Sequence, residues 1–342
     1  MVIFPIEDAL TVGSYTIGLA RQVHPGMTVK NAYDGQFYYA MTFDPLLISK
    51  KSVPYLDAPA YRYRRMFYPL LGFLLAFGKP ELFPYSLFFV NVLAWVLLGA
   101  ALFKIAGSLE IPKFWTVVGG MSVTGITFTT FRTLPETPAL ALALWGCYFW
   151  SARRYALSAV LLGLSGLTKE VSIIIPLTLV AWGLYSREFK WTQAVLFSLL
   201  SCVPPVAWTA FVNLRLPGLT ELSLNRFDFP LRAIFRETDF SFRILTTAME
   251  YVRSVSIVAM TLPLIFISFW YVWKAPTLWG ILTFTQALLC ATVWDDIWTF
   301  HAGSARVVAC LTLFSIIWYF EISKLSGTKS MAAPILQNIL SL

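Results

Sequence analysis

Long apolar runs separated by short polar punctuation dominate the chain. A helix that crosses a bilayer needs about 20 apolar residues, and about 17 suffice when tilt or neighbouring helices help. The runs Leu82–Phe103, Phe114–Phe131, Trp191–Asn213, Val255–Trp273, Pro276–Val293 and Ser304–Ile322 meet that requirement and predict spanning helices. Thr137–Trp150, Tyr155–Leu167 and Val171–Tyr185 are shorter and are interrupted by Gly or Pro. Such helices are tolerated at depth where protein or a cavity covers the freed backbone groups. Together these runs predict nine spans. Met66–Phe77, followed by the turn Gly78-Lys79-Pro80, is too short to cross and reads as a re-entrant or interfacial helix. Glu7 and Asp8 interrupt an apolar start, which is readable as the end of a first helix beginning upstream of Met1. There is no basic stretch and small-residue cleavage site of the kind a signal peptide carries.

Composition agrees. Of 342 residues, 58% are hydrophobic and 13% charged, and mean hydropathy is +0.68. Soluble domains carry about 25% charged residues, so this chain cannot clothe a globular surface and needs lipid as solvent. The expected fold is an all-α polytopic transmembrane bundle of nine or ten spans, one domain over 1–322. Two long loops, 21–81 and 214–254, and a cytoplasmic tail, 323–342, complete it. Cys147, Cys202, Cys290 and Cys310 lie in apolar runs without a CxxC pair and read as packing residues. The net charge of +8 points to anionic lipid or phosphate-bearing partners before nucleic acid.

Alternating the nine spans sorts the loops into two sets. One is short and plain, with nine basic residues (among them Lys104, Lys113, Arg153, Arg154 and Lys324) and the acids Glu110, Glu188 and Glu321, net +6. The other carries 17 basic and 15 acidic residues, net +2, concentrated in the two long loops. The Lys/Arg count alone therefore does not set orientation. The plain loops are assigned to the cytoplasm because they behave as anchors, while the long loops carry mixed charge and motifs. The alternation requires that 155–185 form two spans and not one kinked one.

The first long loop contains Tyr33-Asp34-Gly35-Gln36-Phe37-Tyr38-Tyr39, then Leu56-Asp57-Ala58-Pro59-Ala60-Tyr61-Arg62-Tyr63-Arg64-Arg65-Met66-Phe67-Tyr68-Pro69. Asp34, at a turn before a short aromatic helix, suits a carboxylate that removes a proton from a sugar or lipid hydroxyl. The same position suits an N-cap, and the two roles are not exclusive. These residues resemble the bacterial polytopic glycosyltransferases of the GT-C class, relatives of membrane mannosyltransferases that use polyprenyl-phosphate sugars. The likeness is closest over Asp34–Pro69 and loose across the rest of the chain. It implies a catalytic base at Asp34 on an extracytoplasmic loop of the bacterial cytoplasmic membrane.

Arg62, Arg64 and Arg65 cluster at the mouth of an apolar stretch, where guanidinium forks can grip a lipid-linked phosphate or snorkel as anchors. In extended chain Arg62 and Arg64 share a side; on a helix Arg62 and Arg65 do, so two at most reach a ligand together. Lys169 and Glu170, adjacent charges between apolar segments, need a partner, cavity or surface. Lys169 can meet a donor phosphate, with Glu170 orienting it or capping the next helix. A similar pair recurs in the GT-C relatives. Glu136 opens an apolar helix, where the dipole already favours a carboxylate. Arg306, just inside the last run, is a costly charge suited to donor phosphate. Tyr38, Asp57, Asp295, Asp296 and His301 are further candidates. The Asp295-Asp296 pair can either help to hold a divalent ion or neutralise Arg306.

No HExxH, Cys/His metal spacing, P-loop or GxGxxG occurs. The expectation is an inverting transfer of a sugar from a polyprenyl-phosphate carrier to a hydroxyl of a glycan, lipid or protein, with no required cofactor and no nucleic-acid partner. The partners would be that donor, the acceptor and membrane lipids. A divalent metal is not demanded. The alternatives are a lipid or small-solute transporter or flippase, in which charges in broken helices line a path, and a GT-C-like subunit without activity.

Overall fold

The computed structural model describes residues 15–23, 34–217, 262–270, 276–292 and 301–328, with side chains from Ala305 onward in the last segment. Among the described residues every regular element is helical. Helix α1 (Ile17–Val23) runs into the first long loop, which holds α2 (Gly35–Thr42), α3 (Pro59–Tyr63) and α4 (Phe67–Leu75). Then follow α5 (Phe83–Leu109), α6 (Lys113–Met121), α7 (Thr124–Phe131), α8 (Glu136–Ser151), α9 (Tyr155–Thr168), α10 (Ile174–Tyr185) and α11 (Trp191–Arg215). Helix α12 covers 262–270, and α13 (Leu278–Ala291) and α14 (His301–Thr328) complete the described part.

Among the described residues three helices are long and apolar enough to cross a membrane: Pro80–Leu109, Trp191–Arg215 and Ala305–Ser326. The apolar helices Tyr155–Thr168, Glu170–Tyr185 and Leu278–Ala291 are shorter. At 1.5 Å per residue the 14 residues of α9 reach about 21 Å, less than the roughly 30 Å hydrocarbon core. The outward faces of α5 and α11 are apolar, with Val96, Val195, Leu196, Leu199 and Val206 all exposed. Water penalises such faces and lipid does not, so the helices favour membrane association. Helix α11 runs unbroken through Pro204 and Pro205.

One core is built where α5, α8, α9, α13 and α14 meet, around Leu98, Leu102, Leu144, Leu162, Phe314 and Ile317. A second core joins the loop helices to the start of α5, around Tyr38, Met41, Tyr63, Tyr68 and Leu87. That second core makes the first long loop a packed structure, with α4 against α5 and α2 against α4.

Helix bounds follow the apolar runs closely, with differences. Phe114–Phe131, expected as one span, is two helices, because Val123 leaves helical geometry (φ −60°, ψ 112°) between α6 and α7. The pair still lies along α14, with Gly119 beside Ile316 and Gly125 against Ala305. The segment 155–185 breaks at Lys169, which is extended (φ −151°, ψ 116°), and resumes through a 3-10 turn, Glu170–Ile173. The last helix continues past 322 to Thr328, so the first residues beyond Ile322 extend the helix instead of starting a tail. Residues 1–14, most of 214–254 and the flanks of 262–270 lie outside the described residues, as do the start expected upstream and parts of the run 255–273.

Candidate functional site

Asp34 stands immediately before α2 with its own backbone already helical (φ −50°, ψ −24°), and its side chain makes no capping hydrogen bond. A capping carboxylate needs a non-helical backbone to reach back over the first turn. The carboxylate turns outward to two guanidiniums instead. Its Oδ1 accepts from Arg62 Nη2 at 3.0 Å and its Oδ2 accepts from Arg306 Nη1 at 2.9 Å. Arg306 is 272 residues away in sequence.

Two glycines permit this meeting. At Gly35 an added Cβ would stand 2.5 Å from the Arg132 carbonyl oxygen and 2.7 Å from Thr133 Oγ1, so a side chain there would push α2 off residues 132–133. Thr133 itself has φ +51°, a conformation that β-branched residues rarely adopt. At Gly125 an added Cβ would collide with the Ala305 backbone carbonyl, one residue before Arg306.

Arg62 and Arg65 are both buried and Arg64 between them is less so, as the helical alternative requires. Arg62 forks onto Asp57 through Nε at 2.9 Å and Nη2 at 2.8 Å, and lies 4.3 Å from the Phe37 ring centroid. Arg65 forks onto Glu170 with both bonds at 2.7 Å, donates to the Tyr38 hydroxyl at 2.7 Å, and contacts Tyr61 through its hydroxyl and its ring. Glu170 anchors Arg65. Tyr38 is fully buried and acts through Arg65.

Glu136, at the start of α8, receives Lys169 Nζ at 2.6 Å and Arg306 Nε at 2.9 Å on the same oxygen, Oε1. Arg306 Nη2 joins them there, while Oε2 is buried without a hydrogen-bond partner. The result is a continuous line, Asp57–Arg62–Asp34–Arg306–Glu136–Lys169, with Glu170–Arg65 beside it. Four carboxylates face four cations, so the cluster is formally neutral. Asp34 is among its accessible acids: 28% of its side chain is exposed, beside 33% for Asp57 and 26% for Glu170, against 3% for Glu136.

Burial raises the Asp34 carboxyl, but the Arg62 and Arg306 charges outweigh it and bring it down from 3.8 to about 2. Glu170 follows the same balance: burial opposes ionisation, Arg65 prevails, and the group falls to about 2. Charge-assisted bonds to an ionised carboxylate lower its proton affinity in this way.

The residues that the loop alternation placed on the long-loop side (Asp34, Glu136, Lys169, Arg306) thus meet at one site. Glu110 and Lys324, both of the plain set, pair with one another at 2.7 Å. Asp295 and Asp296 lie outside the described residues, and His301 is placed only as the first residue of α14. Among the described residues no group of His, Cys, Asp and Glu is arranged to hold a metal ion. Sequence reasoning passed over Tyr61, although it stands one helical turn before Arg65. Nothing local marked Gly125 or Thr133. The chain matches no protein-family model, no curated protein and no solved structure, so no relative supplies an activity.

Proposed function

We propose that the protein is a membrane glycosyltransferase of GT-C-like architecture, with nine or ten crossings and the Asp34 site at the extracytoplasmic face of a bacterial cytoplasmic membrane. The observation that carries this reading is a partly exposed carboxylate, Asp34, bound by Arg62 and Arg306 in a cluster that also holds Arg65 and Lys169, cations from three separate parts of the chain. In the reaction the acceptor oxygen attacks the anomeric carbon of a polyprenyl-phosphate sugar. The carbon–oxygen bond to phosphate breaks with inversion, and Asp34 takes the acceptor's hydroxyl proton. The departing phosphate is already a stable anion and needs no acid. It needs fixed positive charge, for which Arg306, Lys169, Arg62 and Arg65 are at hand. Preorganised donors of this kind are worth about 3–4 kcal/mol each in a well-built site.

Purified protein in lipid nanodiscs, incubated with radiolabelled polyprenyl-phosphate hexoses and lipid or glycan acceptors, tests the reading. Label should move to the acceptor with wild-type protein and not with Asp34→Asn shown to be folded by its circular dichroism. Near-normal turnover by that variant removes Asp34 from the chemistry. Flux of the carrier lipid across the bilayer without sugar transfer supports the transport alternative instead.

A further inference from the structure

Each cation of the ion-pair line is engaged by a carboxylate of the protein, and both oxygens of Asp34 are covered by guanidiniums. A phosphate entering this neutral cluster adds an anion, so it is held only where an existing pair opens. The pairs are not equally ready to open. Arg62 is forked onto Asp57 and stacked on Phe37. Arg65 is forked onto Glu170 and fixed by Tyr38 and Tyr61. Bidentate guanidinium–carboxylate pairs are the strong ones, and stacking adds to them.

Arg306 is held differently. Its Nε and Nη2 converge on a single oxygen of Glu136 and do not fork onto two, and its Nη1 reaches Asp34. If it turns away, Glu136 keeps Lys169 at 2.6 Å and Asp34 keeps Arg62 at 3.0 Å. Two of the three donors that crowd Glu136 Oε1 belong to Arg306, and Lys169 Nζ stays on that oxygen when they leave, while Oε2 has none.

We infer that Arg306 is an exchangeable guanidinium: a lipid-linked phosphate draws it from Asp34 and thereby uncovers Oδ2 for the acceptor hydroxyl. This rests on the glycosyltransferase reading for the identity of the anion and the acceptor. It orders the reaction, because the base stays covered until the donor is seated. It also resolves a conflict in the resting site, where a carboxylate bound by two guanidiniums is a poor proton acceptor.

Binding of a short-chain prenyl phosphate to the full-length protein in detergent, measured by titration calorimetry, tests the exchange. Asp34→Asn removes the competitor for Arg306 and should tighten binding by about tenfold, within the coupling expected inside one ion-pair network. Arg306→Gln should weaken it by at least about tenfold, the scale of one charge-assisted contact. In the Arg306→Gln background, Asp34→Asn should bring no gain. Asp34→Ser serves as a second variant, and each is titrated well below its own thermal midpoint. Unchanged or weaker binding by both Asp34 variants overturns the inference, as does a gain that persists without Arg306 or an absence of binding to any form. Inorganic phosphate, run in parallel, should bind more weakly; equal affinity overturns the lipid-linked assignment. The titration needs no turnover. Tightened binding without sugar transfer therefore upholds the exchange and sinks the enzymatic reading, whereas transfer with flat Asp34 affinities does the reverse.

Discussion

Replacing Glu136 with Leu removes the acceptor on which two cations converge. The side chain is 3% exposed, and its partners Lys169 and Arg306 are 18% and 11% exposed, so water cannot take over fully. Arg306 retains Asp34 at 2.9 Å, whereas Lys169 loses the Glu136 bond of 2.6 Å. Breaking a buried pair from one side costs about 3–5 kcal/mol, most of it from the stranded charge. Glu136→Leu should therefore destabilise by that order. If the stranded ammonium is the cause, adding Lys169→Met should restore most of the loss and leave about 1–2 kcal/mol, since apolar replacement of a whole pair is often near neutral. The assay is unfolding in mixed micelles across the four-member cycle of wild type, two single variants and the double variant. A double variant no more stable than Glu136→Leu would refute the reasoning and make Glu136 a packing residue.

Three further outcomes follow from the same geometry. Gly125→Ala places a methyl against the Ala305 carbonyl, which is backbone and cannot swing aside; a loss of about 1–3 kcal/mol is expected on thermal unfolding, as for other overpacked sites. Arg65→Lys keeps the charge but loses the fork onto Glu170 and the Tyr61 stack, so it should cost about 1–2 kcal/mol, and an unchanged midpoint would show that the fork contributes nothing. Asp34 and Glu170 are held at about 2 in the fold, below their ordinary values of 3.8 and 4.5. Their contribution is complete above those ordinary values and drains as pH falls toward 2, because the unfolded chain then binds protons that the folded one refuses. The thermal midpoint in detergent should decline from pH 5 to pH 2.5, roughly the window those values define; a midpoint that rose would contradict the pairing.

Which runs are helical and which faces are apolar was determined by the amino-acid order alone. Hydrophobicity is a local property, and a chain with 13% charged residues has few places to put a polar surface. The ends of α9, α10, α11 and α13 fall within a few residues of where the apolar runs stop, while α5 runs on past Phe103 to Leu109. The same scarcity singled out Asp34, Arg62, Arg65, Glu136, Lys169 and Arg306, because an ionised group beside lipid must have company. What the order of residues could not state was the company each one keeps. Asp34 had an equally good local partner in the start of α2, yet it binds an arginine far away, and Glu170 likewise pairs with Arg65, 105 residues distant. That choice belongs to the tertiary structure, since it depends on how closely α2 approaches residues 132–133 and α7 approaches α14. Those distances are set by two glycines whose lack of a side chain carries meaning only once the opposing backbone is in place. The break at Val123 was hidden for the same reason: an apolar residue reads alike whether its helix continues or bends.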